Sequence, residues 1–391
     1  MTSTESNSYK ALHGSNARQT LLNVILQLES FGAITSHTPN PHYGYNGYDP
    51  DQFDAHQEIT YADGSRAVLY TTSSLRSDRI RKDQWRASNI KKIDESITHA
   101  LVVLPDEKGF DQGTETRDKI REGRVFSAID DIQTAAEFFD ETMARFEETL
   151  EAGKKNDFQG RTLEDLLPII LDSKENLLRF NGRSEYTGFR YEVFELVMKK
   201  LNLDSRTILL IESTTEIPTL PSGGKPKTDV ASTITFNDGT VKEITFSLKN
   251  SSSTAVSVHE YSAEQFAEVL DPSNEKLKRL LLAFQAAGSK SKMNEADVDS
   301  LTSELKPYQR KLNMWVFSGA GAAGTLPVQI ADYLILRDKI TGDFSIHSVE
   351  EYCDLLEANN RGASGFGTIF AWTYPSKKRG KKIQLKAKII K

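Results

Sequence analysis

The chain has 391 residues, enough for two or three domains and a sizeable core. Its net charge is −6, 38% of residues are hydrophobic, no apolar run reaches membrane-spanning length, and the N-terminus lacks the apolar core of a signal peptide. The expectation is a soluble cytoplasmic protein, and the single cysteine, Cys353, excludes both a disulfide framework and a thiolate zinc site.

Residues 1–16 are rich in Ser, Thr and Asn and read as a disordered tail. ARQTLLNVILQLESFG, from Ala17, reads as a helix closed by glycine, and TPNPHYGYNGYDP as a loop. HQEITYADGSRAVLYTTSS predicts two strands around Asp63-Gly64, and HALVVLP another. The helical recurrence of Phe126, Ile129, Ile132, Phe139, Met143, Phe146 and Leu150 predicts one long amphipathic helix. The polar GKKNDFQG, Gly153–Gly160, then separates an N-terminal domain (17–155) from a second domain (161–391). In that second domain RTLEDLLPIILDSKENLL, YEVFELVMKKL, AEQFAEVL, NEKLKRLLLAFQ and SVEEYCDLLEANN read as helices, and LNMWVF, DYLILRD and TIFAWTY as strands. The whole is a mixed α/β (α+β) chain.

Charge is unevenly spread. Arg76, Arg79, Arg81, Lys82, Arg86, Lys91 and Lys92 surround Trp85, and eight basic residues crowd Lys377–Lys391. Two basic strips on an acidic body suit a polyanion such as DNA, and each alone also suits a solvated face.

Between Val230 and Phe246, residues suited to strands alternate around Asn237-Asp238-Gly239. A hairpin folded about Asp238 pairs 236 with 240, sets Asp229 across from Ser247, and puts Lys249 one step along the same face. Ile244, Phe246 and Leu248 then face the core. A carboxylate ending one strand and a lysine on its neighbour meet the needs of metal-dependent phosphodiester cleavage: an oxygen ligand for magnesium, and an ammonium to orient water and offset phosphate charge. The same spacing also suits an exposed hairpin with a cross-strand ion pair.

GGKPKTDV, the FSLKN strand, SVHEYSAE, LKPYQRKLNMW and GFGTIFAWTYPSKKRGKKIQLK occur in that order between Asn181 and Lys386. In these blocks the chain resembles the MspI-type type II restriction endonucleases of the PD-(D/E)xK superfamily. The resemblance implies a restriction-endonuclease-like core, a mixed central sheet flanked by helices, and the residues before it read as an additional N-terminal α/β domain. It implies magnesium-dependent cleavage of double-stranded DNA at CCGG or a longer palindrome, a cognate DNA methyltransferase, and optionally a homodimer. By position, Asp229 is the metal-binding aspartate and Lys249 the catalytic lysine. Ser247 stands where this family has asparagine, and Glu192 matches a helical glutamate that reaches the site through water. Ser257, Glu260, Thr373, Ser376, Gln384 and Lys386 fall on DNA-reading positions, while Lys377, Lys378, Arg379, Lys381 and Lys382 fall on phosphate-binding ones. The alternative is a DNA-binding protein with a weakened nuclease fold.

Residues 1–160 lie outside that resemblance but echo it. Ile59–Gly64 parallels Ile234–Gly239, so Asp54 takes the place of Asp229, Thr72 of Ser247 and Ser74 of Lys249. The echo reads as a second nuclease-like sheet without its lysine, contacting DNA through Arg76 and Arg79, or equally as two unrelated hairpins. SGAGAAGT formally matches a dinucleotide fingerprint, but Pro327 follows where a helix should open. The seven histidines show no zinc-ligand spacing.

Overall fold

The computed structural model describes residues 3–44, 53–72, 77–104, 114–150, 163–184, 188–221, 224–251, 255–338, 343–359 and 365–388. The chain divides into two compact units, one of Met1–Phe158 with Ser173–Phe194 and the other of Gln159–Asp172 with Glu195–Lys391. The division at Phe158 falls within the expected linker. Ser173–Phe194, expected in the second domain, instead clusters with the first. Local packing explains this: Phe189 meets Phe139 at 5.2 Å, and Arg190 ion-pairs with Asp140.

The first unit holds α1 (Ser3–Ser30), β1 (Ile34–Pro39), β2 (Gln57–Tyr61), β3 (Arg66–Thr71), α2 (Ser77–Ile93), β4 (Ile97–Leu104), α3 (Thr114–Arg121), β5 (Asp131–Thr134) and α4 (Ala135–Thr149). Helix α1 begins at Ser3, so most of the expected disordered tail is helical; no proline precedes Pro39 to interrupt it. The long helix expected from Phe126 is divided. Asp131–Thr134 joins the sheet beside β4, and Thr134 starts α4 with a reciprocal cap to Glu137. Ile129 and Ile132 are therefore buried by sheet packing, although their spacing also fits a helix.

Residues 163–171 form α5, followed by α6 (Lys174–Phe180) and α7 (Tyr191–Lys200). The second unit continues with β6 (Ile208–Thr214), β7 (Val230–Phe236), β8 (Val241–Ser251), β9 (Ala255–Tyr261), α8 (Ala263–Leu270), α9 (Glu275–Ala287), α10 (Glu295–Leu305) and α11 (Gln309–Ser318). After these come β10 (Tyr333–Asp338), β11 (Phe344–Ser348), α12 (Val349–Ala358), β12 (Ala371–Thr373) and β13 (Ile383–Lys388). LNMWVF, expected as a strand, lies in α11: Leu312, Trp315 and Val316 pack at helical spacing, and a short apolar run cannot reveal its period alone. Gly319, at φ 85°, ends α11 in the left-handed region. The glycines of SGAGAAGT thus follow a helix, and Pro327 opens a short 3-10 turn, which removes the dinucleotide-binding reading. TIFAWTY contributes only the three residues of β12.

The two main sheets share a plan over four strands and differ at the fifth, since β5 runs parallel to β4 and β11 antiparallel to β10. In the first, β1, β2 and β3 are antiparallel neighbours and β4 runs parallel to β3, with β5 beyond. In the second, β6, β7 and β8 are antiparallel and β10 runs parallel to β8, with β11 beyond. Their hairpins also share register: Gln57 faces Leu69 as Ser232 faces Ile244, and Thr60 faces Arg66 as Thr235 faces Val241. Both turns place a glycine at positive φ, Gly64 at 84° and Gly239 at 82°. In both, the preceding aspartate accepts from the residue after glycine, Ser65 on Asp63 and Thr240 on Asp238. A third sheet, ordered β12-β13-β9, is antiparallel throughout.

Candidate active site and DNA-reading sheet

The β7–β8 register is the one the hairpin reading requires. Phe236 N–H donates to Thr240 O at 2.9 Å, Val230 faces Phe246, and Asp229 N–H donates to Phe246 O at 2.8 Å. Ile244, Phe246 and Leu248 are buried in the core. Asp229 Oδ2 accepts Leu248 N–H at 2.7 Å and the Ser247 hydroxyl at 3.2 Å, and lies 3.6 Å from Lys249 Nζ. Lys249 Nζ donates to Ser247 Oγ at 2.9 Å and Leu248 O at 2.8 Å. Ser247, fully buried, bridges the carboxylate and the ammonium. Both hydrogen bonds and the ammonium converge on Oδ2, which leaves Oδ1 without a hydrogen bond among the described contacts.

Glu164, on α5, was not singled out from sequence. Burial raises its carboxyl pKa, and the charges of Asp229, Lys225 and Lys249 act on it next, so it stands within electrostatic reach of the pair. Its only sequence signal is an acidic residue in a largely apolar helical run, 65 residues before Asp229. Glu192 lies in the first turn of α7, half exposed, 4.0 Å from Arg190, and belongs to the first unit. Among the described residues no group of three or more His, Cys, Asp or Glu could close around a metal. One carboxylate oxygen left open, with a second carboxylate nearby, nevertheless fits magnesium, which commonly takes one or two carboxylates and completes its shell with water and phosphate.

The third sheet gathers the expected reading residues. Gln384 lies opposite Glu260 on one side and Thr373 on the other, and Lys386 opposite Ser257. Ile383, Leu385 and Ala387 turn inward to Phe266, Phe284 and Trp372, so Gln384 and Lys386 turn outward. Glu260 accepts from Lys378 at 2.8 Å and lies 3.5 Å from Lys382. The Lys378 hydrogen bond holds its carboxyl below the usual range. Lys382 therefore serves a carboxylate here. Lys377, Arg379, Lys381 and Ser376 are exposed in the β12–β13 connection. His259 is buried against Trp315, 4.0 Å between ring centres, and burial holds its pKa well below the usual value. A cleft of about 560 Å³ runs from Lys225 and Lys227 past Ser257 and Glu260 to Lys382 and Gln384.

In the first unit, Arg79 is exposed on α2 with Arg81, Lys82 and Trp85, while Arg76 lies outside the described residues. Asp54 bridges His42, and its Oδ2 lies 3.7 Å from Arg86, where Asp229 has Lys249 at 3.6 Å.

An aspartate just before one strand and a lysine on the adjacent strand of a mixed sheet, beside an outward polar sheet with a basic connection, define a nuclease of restriction-endonuclease fold. The profile of the family described as restriction endonuclease MspI matches residues 141–387, and the chain belongs to that family. It is 29% identical over 348 residues to the type II restriction enzyme BsuFI of Bacillus subtilis, covering 84% of each. To the type II restriction enzyme MspI of Moraxella sp it is 27% identical over 240 residues, 60% of this chain and 91% of that one. The crystal structure of restriction endonuclease MspI with its cognate DNA superposes with a TM-score of 0.55 at 26% identity, over 64% of this chain and 99% of that one. Among the described residues no helix is long and apolar enough to cross a membrane.

Proposed function

We propose that this protein is a magnesium-dependent type II restriction endonuclease that hydrolyses both strands of DNA at CCGG or a longer palindrome containing it. The observation that carries the reading is the Asp229–Ser247–Lys249 constellation, with one carboxylate oxygen left open. Asp229, aided by Glu164, would hold magnesium, which when bound polarises the phosphoryl group and lowers the pKa of an attacking water. Leu248 N–H and Ser247 Oγ fix the Asp229 carboxylate so that its other oxygen points outward from the pair. Lys249, with two of its three N–H groups committed to Ser247 and Leu248, keeps one for the scissile phosphate or its water.

Sequence is read by Ser257, Glu260, Thr373, Gln384 and Lys386, with Ser376 at the edge; lysine and glutamine suit guanine or adenine edges, and glutamate the cytosine amino group. DNA binding must draw Glu260 away from Lys378, which frees that lysine for phosphate. Lys381 and Lys382 add backbone contacts, and in the first unit Arg79 and its α2 neighbours offer a second basic face. A cognate methyltransferase and a homodimer complete the reading, the two-fold symmetry matching a palindrome.

Ser247 favours a second reading, a DNA-binding protein with weakened catalysis, because serine is a poorer metal ligand than a carboxylate. Digestion of a fully sequenced plasmid with magnesium separates the two. Discrete fragments whose ends map to one palindrome support the enzyme; intact DNA that is nonetheless bound supports the alternative.

A further inference from the structure

The DNA-reading strand β9 carries a bulge. Leu385 faces His259, the next residue on β13, Lys386, faces Ser257, and Val258 is left as the extra residue. Val258 and His259 are both buried, whereas Ser257 is exposed and Glu260 partly so. In a regular strand Ser257 and Glu260, three apart, would point to opposite faces. The bulge is what puts both beside Lys386 and Gln384.

A bulge disrupts the ladder, and the Val258 carbonyl has another partner: Lys227 Nζ donates to it at 2.6 Å. Lys227 stands two residues before Asp229, and buried Thr228 followed by the Asp229 N–H bond to Phe246 leaves this segment little freedom. Its stem is confined as well, since a methyl group on Gly319 would come within 3.2 Å of Lys227 Cγ. One side chain thus ties the segment that delivers the carboxylate to the residue that sets which side chains face DNA.

We infer that Lys227 is a positioning residue that holds the Val258 bulge, and through it the reading face, in fixed relation to Asp229. The inference rests on the nuclease reading, and its content is specificity: base recognition and bond cleavage share one hydrogen bond.

The test uses the full-length protein with Lys227→Met, which keeps the stem and loses the donor. The ratio of kcat/KM for the cognate site to that for sites with one base changed should fall about fivefold or more, as loss of a hydrogen bond that leaves a bulge carbonyl unpaired implies. Lys227→Gln, which keeps a shorter donor, should fall between parent and Lys227→Met, and it serves as the working variant if the methionine protein does not fold. An unchanged ratio overturns the inference. So does a loss of kcat with discrimination intact, which would assign Lys227 to the metal-binding segment alone. Failure of the parent to cut any DNA would refute the nuclease reading instead, leaving the bulge to be followed by hydrogen exchange at the Glu260 amide, faster in Lys227→Gln if Lys227 holds it.

Discussion

Asp229, immediately before β7, and Lys249, on the neighbouring antiparallel β8, hold Oδ2 and Nζ 3.6 Å apart, and a single buried hydroxyl, Ser247 Oγ, touches both. Lys249→Ala should therefore leave DNA affinity within a few-fold of the parent while lowering cleavage by roughly 10²–10⁴-fold. Gel-shift binding with calcium beside cleavage with magnesium measures both, and undiminished cutting would remove Lys249 from the reaction.

Ser247→Ala deletes the bridge but neither charge. Each of its two hydrogen bonds is worth about 1 kcal/mol, so cleavage should slow roughly five- to thirtyfold. A rate equal to the parent's would mean that Leu248 N–H alone orients Asp229.

Glu164→Gln removes the second carboxylate near Asp229. Calorimetric titration with magnesium or manganese should show weaker binding, and half-maximal cleavage should need more metal. Identical titrations would restrict the metal site to Asp229.

The outward residues separate by role. Gln384→Ala should narrow the gap between cognate and altered sites by about 1–3 kcal/mol, whereas Lys381→Ala should weaken all sequences alike and reduce the salt slope by about 1. Binding isotherms across a salt series with two oligonucleotides decide the matter.

A stability prediction comes from Asp83, buried in α2. Burial raises its carboxyl pKa to about 6 from an ordinary value of 3.8. The folded protein therefore favours the protonated form, and that stabilisation is full below about pH 4 and lost as pH rises through 6. About two pH units correspond to roughly 2–3 kcal/mol, the opposing pull of Arg86 at 3.9 Å already included. Asp83→Asn should raise the urea midpoint at pH 8 and have almost no effect at pH 4.

The Asp229–Lys249 juxtaposition was legible because a hairpin converts sequence spacing into position: once the turn was fixed at Asp238-Gly239, the partners of every residue from Val230 to Phe246 followed. The reading sheet was legible only as separate segments. Gln384 and Glu260 are 124 residues apart in sequence, and nothing local announces their pairing. The Val258 bulge left no mark, since a regular alternation would have sent Ser257 and Glu260 apart. Glu164 was missed because its value comes from tertiary proximity. Trp315 and its neighbours misled because complete burial erases the periodicity that distinguishes helix from strand.

The repeated hairpin register carries one more implication. Where the second sheet sets a lysine beside its aspartate, the first supplies Arg86 from a helix, a guanidinium that stays charged at any physiological pH and is poorly suited to exchanging protons. One hairpin register therefore carries two unlike carboxylate–cation pairs, the cation drawn from the sheet itself in one and from a helix in the other.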